Sequence, residues 1–126
     1  LRLLTNADMD SRSPFALILL GQPTLARQLR LGVFAALDQR IATRFHIPPM
    51  DLGDGTAYLR HHLALAGRSD QLFADDAVVR LHRQSSGIPR ALNNAATAAL
   101  IASAADGKEI VDDACAKKAV AELTRD

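Results

Sequence analysis

The sequence predicts an α/β fold that is mostly helical, with one strand–helix–strand unit early on and a run of helices after it. Three observations carry that prediction. Phe15-Ala16-Leu17-Ile18-Leu19-Leu20 is a short apolar run set between Pro14 and Gly21. An apolar stripe at helical spacing follows it, and then a short polar–apolar alternation. Beyond residue 52 the pattern is helical throughout, with no segment that reads as a strand.

The run at 15–20 has the length and the turn-forming neighbours of a strand buried on both faces, the kind found in parallel sheets covered by helices. Gln22-Pro23-Thr24 then turns the chain into a helix. Leu25, Leu29, Val33, Leu37 and Ile41 recur every four residues, with Phe34 beside them, giving one long helix that Arg40 closes. Thr43-Arg44-Phe45-His46-Ile47 alternates polar and apolar side chains until Pro48-Pro49 stops it, which predicts a second strand. Asp51-Leu52-Gly53-Asp54-Gly55 reads as a loop.

Four helices follow. The first is expected from about Thr56 to Ala66, ending at Gly67. The second begins at Ala74 or Asp75, with Asp75 and Asp76 favourable in its first turn, and stops before Gly87. The third starts at Pro89, where the missing N–H costs nothing, and ends at Gly107. Eight of the fifteen residues from 91 to 105 are Ala, so it should be strongly formed and closely packed. The fourth is capped by Asp112 and runs through Leu123. The domain boundary falls between residues 52 and 53.

Composition narrows the function. The 126 residues are 48% apolar and 23% charged, which argues against disorder. Fifteen Lys and Arg stand against fourteen Asp and Glu, so no basic excess marks a dedicated nucleic-acid platform. The first 52 residues carry net +2 and the remainder net −1. The single Cys115 excludes an intrachain disulfide and a Cys-rich zinc site, and fits a reducing compartment. No apolar stretch reaches the roughly 18–20 residues of a membrane span. Residue 1 is Leu, and Leu1-Arg2-Leu3-Leu4-Thr5-Asn6 reads like the last turns of a helix. The chain is therefore expected to be a piece of something longer.

Several chemistries are absent. There is no G-x-x-x-x-G-K-[ST], no G-x-G-x-x-G, and no serine in a G-x-S-x-G setting. His61 and His62 are neighbours that point apart on a helix, and no H-E-x-x-H occurs, so no metal site is expected. Phe34, Phe45, Tyr58 and Phe73 read as core fillers, and Cys115 as a small buried hydrophobe.

Four polar residues are candidates. Arg90 falls in the first turn of a helix opened by Gly87-Ile88-Pro89. A cation is mildly disfavoured there unless a bound anion reverses the sign, so Arg90 is either a solvated side chain or a phosphate ligand. Arg40 is welcome at a helix C-terminus on structural grounds alone, and Arg44 follows it at the start of the second strand. Gln22 sits at the carboxyl edge of the expected sheet, where ligands of open α/β folds bind and where turn-forming polar residues are also common.

Together these pieces resemble the C-terminal half of an AAA+ ATPase. Leu20-Gly21-Gln22-Pro23-x-Leu25, Gln39-Arg40-Ile41-x-x-Arg44-Phe45 and Ser86-Gly87-Ile88-Pro89-Arg90-x-Leu92-Asn93-Asn94 occur in that order. They are similar to the branch holding the general-secretion-pathway A-type ATPases and the helper ATPases of transposases, of the TniB and MuB kind. The resemblance implies that residues 1–52 are the last strands of the P-loop core and residues 53–126 an all-α lid bundle. It makes Gln22 the sensor-1 residue near the γ-phosphate, Arg40 the arginine finger with Arg44 as fallback, and Arg90 the sensor-2 arginine. It implies ATP and Mg²⁺ in the full-length protein. The Walker A and Walker B residues would lie upstream, so the piece alone is expected neither to hold ATP or Mg²⁺ nor to hydrolyse it.

The expected whole is a cytoplasmic, self-assembling ATPase that helps DNA transposition, with a transposase and DNA as possible partners. The alternatives are an ATPase of a secretion system and a non-catalytic helical module that binds DNA or protein. The net charge of −1 over 53–126, with Tyr58 and Phe73 as its only Tyr and Phe, weighs against a DNA module. Two strands without sheet neighbours would leave edges through which the fragment could dimerise.

Overall fold

A computed structural model describes residues 15–124. The helix-like opening at 1–6 and the Pro14 that bounds the apolar run lie outside the described residues. The chain divides into two compact units, one ending at His46 and the other beginning at Ile47.

In the first unit the described helices are short: α1 (Pro23–Leu29), a 3₁₀ turn at Gly32–Phe34, and α2 (Ala35–Asp38). The single long helix expected over this stretch is therefore broken in the middle. Two physical reasons account for the break. Gly32 costs about 1 kcal/mol relative to Ala in a helix interior. Residues at a strict four-residue spacing also advance about 40° per step around a helix of 3.6 residues per turn, so Leu25 to Ile41 would wind around the axis rather than hold one face. Val33 is 84% exposed, and no residue of α1, the 3₁₀ turn or α2 is buried.

The two expected strands are corrected as well. Phe15–Leu20 and Thr43–Ile47 carry no strand hydrogen bonding among the described residues, and Ile18, Leu20 and Phe45 are 78%, 84% and 86% exposed. A parallel strand is made by the neighbours that bond both its edges, and these segments have no such neighbours among the described residues. Phe45 and Phe34 are accordingly not core fillers.

The second unit holds α3 (Leu52–Leu65), α4 (Asp75–Ser85), α5 (Pro89–Ala105) and α6 (Asp113–Leu123). The last three lie within one residue of the sequence expectation at their starts. By contrast, α3 begins four residues early. Residues 52–55, expected as loop, form its first turn, because the Asp51 carboxylate accepts the Asp54 N–H at 2.7 Å. Asp112 caps α6 in the same way, accepting the Cys115 N–H at 2.9 Å.

The C-termini of α3 and α5 close as Schellman motifs. Arg68 N–H bonds the Leu63 carbonyl and Gly67 N–H the Ala64 carbonyl, and Lys108 and Gly107 do the same at Ser103 and Ala104. Both glycines have positive φ, at 82° and 65°.

Helices α4, α5 and α6 pack on one another around Leu81, Leu92, Val111 and Cys115, all fully buried. Small side chains in the same cluster, Ala77, Ala95, Ala96, Ala99, Ala116 and Ala119, let the helices approach closely, and Leu59, Phe73 and Val78 complete it. The segments leading into α4 and α6 meet in a parallel bridge at Phe73 and Val111, with Ala74 N–H to Val111 O at 2.9 Å and Val111 N–H to Leu72 O at 2.8 Å. Arg80 of α4 grips Asp113 of α6 with two hydrogen bonds, at 2.5 and 2.8 Å.

Candidate functional site

The elbow between α4 and α5 is the most constrained feature near a candidate residue. At its apex Ser86 has φ 50° and Gly87 φ 70°, two consecutive residues in left-handed backbone. Ile88 returns to extended backbone as the N-cap of α5, and Pro89 occupies the first helical position. The turn is stitched by Ser86 N–H to Arg83 O, Ile88 N–H to Ser85 O, and Leu92 N–H to Ile88 O. The Ser85 hydroxyl donates to the His82 carbonyl at 2.9 Å.

Arg90 stands in the first turn of α5, exposed to solvent. No side chain caps this helix, and no acidic residue lies in its first turn. Arg90 makes no side-chain hydrogen bond or ion pair among the described residues. The first turn therefore combines unbonded backbone N–H groups, the positive end of the helix dipole and an unpaired guanidinium, an arrangement that favours an oxyanion such as phosphate. One turn further on, Asn93 donates to the Tyr58 hydroxyl of α3 at 3.0 Å.

Chain residues 47–51, just ahead of α3, are held against this elbow. Met50 N–H bonds the Gly87 carbonyl at 2.9 Å, and His82 Nε2 lies 2.9 Å from the Met50 carbonyl. A carbonyl only accepts, so Nε2 carries the proton in this contact. The approach requires glycine at 87: an added Cβ would overlap the Met50 carbonyl oxygen and stand 3.0 Å from its nitrogen. Gly55, buried in the first turn of α3, meets the same imidazole, since a Cβ there would come 2.8 Å from His82 Cδ2.

Met50, Gly55 and His82 were not found from the sequence. The available signal was Gly55, once it is placed inside a helix, because a buried helical glycine marks a close approach by a neighbour.

The other candidates belong to the first unit. Gln22 does not end a strand; it is the N-cap residue of α1 by backbone conformation, exposed, with its carbonyl accepting the Leu25 N–H at 2.8 Å and its side chain making no cap bond. Arg40 lies two residues beyond α2 rather than closing a long helix, and its N–H bonds the Leu37 carbonyl at 3.1 Å. Arg44 turns back on α2, donating to the Asp38 carbonyl at 2.7 Å and pairing with the Asp38 carboxylate at 2.9 Å. That contact satisfies a free carbonyl at a helix end. Two open hollows in the second unit, one beside Arg68, Ser103 and Lys108 and one beside Arg80 and Arg83, do not include Arg90.

Among the described residues no cluster of three or more His, Cys, Asp or Glu could hold a metal ion. The His61 and His62 rings meet edge-on, 5.7 Å apart, and His62 lies 4.3 Å from the Tyr58 ring. No described helix is long and apolar enough to cross a membrane.

Comparison with known proteins adds a relative to this geometry. The chain is similar to the general secretion pathway protein A of Aeromonas hydrophila, 42% identical over 107 residues that make up 85% of this chain and 20% of that protein. The chain thus spans about a fifth of the length of the relative it matches. No family model and no solved structure matches it.

Proposed function

We propose that this chain is the distal part of an AAA+ ATPase module of the general-secretion-pathway A kind, in which the helical second unit is the lid and Arg90 contacts the nucleotide phosphates. The observation that carries the reading is the α5 N-terminus, where an unpaired Arg90 stands beside uncapped backbone N–H groups. The 42% identity to a general secretion pathway protein A supports it and favours a secretion role over one in DNA transposition.

In this reading ATP supplies the phosphoanhydride that is cleaved, and Mg²⁺ the charge that shields it. The residues at the elbow fit the phosphate half of that requirement and no described cluster fits the metal, so the Mg²⁺ ligands would come from outside the described residues, and the phosphate-cradling loop, whose motif this sequence lacks, from another part of the protein. Arg90 would bind and orient the phosphates from the lid side. Arg40 would act as the finger toward a neighbouring subunit, with Arg44 as the alternative, and Gln22 would orient the attacking water. The assembled protein would be a cytoplasmic homo-oligomer.

The test is ATPase turnover of the protein that carries this chain together with its nucleotide-binding half. Arg40→Ala should lower turnover by about 10³-fold or more, the typical worth of an arginine finger. Arg90→Ala should raise the ATP concentration needed for half-maximal rate. Wild-type kinetics in both variants would overturn the reading, and loss in Arg44→Ala but not in Arg40→Ala would move the finger to Arg44.

A further inference from the structure

The contacts that pin residues 47–51 lie within a few residues of the one proposed to bind phosphate. His82 lies in the last turn of α4, Gly87 at the apex of the elbow, and Arg90 three residues further on. Between the apex and Arg90 the chain has little slack. Ile88 N–H is bonded to Ser85 O at 3.0 Å, Leu92 N–H to Ile88 O at 2.9 Å, and Pro89 fixes its own φ. The Met50 backbone bridges the two sides of this turn, its carbonyl accepting from His82 on α4 and its N–H donating to Gly87 at the apex. The first turn of α3 closes on His82 from another direction at Gly55. The main chain of one residue thus ties the end of α4 to the start of α5 at the point where the direction of α5 is set.

We propose that His82 is a positioning residue for Arg90: its Nε2–H, through the Met50 carbonyl and the Met50-to-Gly87 bond, fixes the direction in which Arg90 is presented to a phosphate. The inference rests on the reading of Arg90 as a phosphate ligand. A purely structural role for His82 would predict lower stability with an unchanged site. A positioning role predicts a change in ATP binding that depends on Arg90.

The experiment compares His82→Ala, His82→Gln, Arg90→Ala and the double variant His82→Ala/Arg90→Ala in the ATPase assay of the complete protein, with thermal melts alongside. His82→Ala should raise the KM for ATP by about 5- to 30-fold, the equivalent of one lost hydrogen bond to a partly buried carbonyl. Its effect on kcat should be smaller. A glutamine side-chain amide can place its nitrogen where Nε2 lies, so His82→Gln should recover most of the loss. The double variant should be no worse than Arg90→Ala, because the clamp acts only through that side chain. A wild-type KM in His82→Ala, additive losses in the double variant, or His82→Gln as impaired as His82→Ala would each overturn the proposal. If Arg90→Ala alone has wild-type kinetics, the phosphate reading falls instead. Should His82→Ala lose its cooperative melt, His82→Asn takes its place, its amide being too short to reach the carbonyl.

Discussion

Gly87 shows how one residue can be legible in part. Its position after a helical run identifies it from the sequence as a left-handed C-terminal residue, and its φ of 70° agrees. Its second constraint, the backbone of Met50 pressed against its Cα, leaves no trace in the sequence, because main-chain atoms are the same at every residue type but proline. Gly107 provides the comparison: φ is 65° and nothing lies within 4 Å of an added Cβ. Gly107→Ala should therefore cost only the backbone term, roughly 1–2 kcal/mol. Gly87→Ala should cost clearly more, since the Met50 segment must also be displaced. Thermal melts of the two variants decide it, and equal losses would mean that the Met50 approach is loose. Ser86 was less legible still, because nothing in its side chain announces φ 50°.

At the scale of elements, the sequence revealed helices wherever punctuation and local chemistry agree. Pro89 opens α5, Gly107 follows its end, and Asp112 caps α6, all within reach of a short window. The start of α3 was misplaced because Gly53 and Gly55 look like loop residues, while the Asp51 cap that overrides them is a single hydrogen bond. The expected strands failed for a different reason. A strand is defined by partners distant in sequence, so apolar runs such as 15–20 carry the tendency without the pairing. Within the helical unit, the small residues of α5 and α6 give a prediction. Ala99 is fully buried in the cluster with Cys115, Ala116 and Ala119. Ala99→Leu should overpack it, costing about 1–3 kcal/mol. Ala104→Leu, on the exposed side of α5, should be nearly silent. A melting temperature unchanged in Ala99→Leu would mean that the helices separate more easily than their packing implies.

At the scale of the whole molecule, the carboxyls among the described residues that folding holds low all lie in the second unit. Arg68 holds the Asp70 carboxyl at about 2, below its ordinary 3.8. Lys108 and the Cys115 N–H hold Asp112 below the usual carboxylate range, and Arg80 does the same for Asp113. Carboxyls depressed by folding contribute stability that is fully present above 3.8 and is lost as the pH falls through their folded values. These ion pairs are solvent-exposed, so the effect should be modest and weaker in high salt. Melting temperature followed by circular dichroism should stay level from neutral pH to about pH 4 and then decline, and a fall centred near pH 6 would contradict this origin. The candidate site was legible in proportion to how local it is. Arg90 could be placed from Gly87-Ile88-Pro89, whereas His82 and Met50, 32 positions apart, become partners only once the chain is folded.

The hold on residues 47–51 is made through main-chain atoms of Met50, and this divides the freedom to vary unequally. Residue 50 can change among apolar side chains with both bonds intact, and proline alone would remove the N–H that one of them needs. Residues 82 and 87 have no such latitude, since one must donate from a ring nitrogen or its equivalent and the other must lack a Cβ. Across evolutionary time the grip should therefore outlast the identity of what it grips.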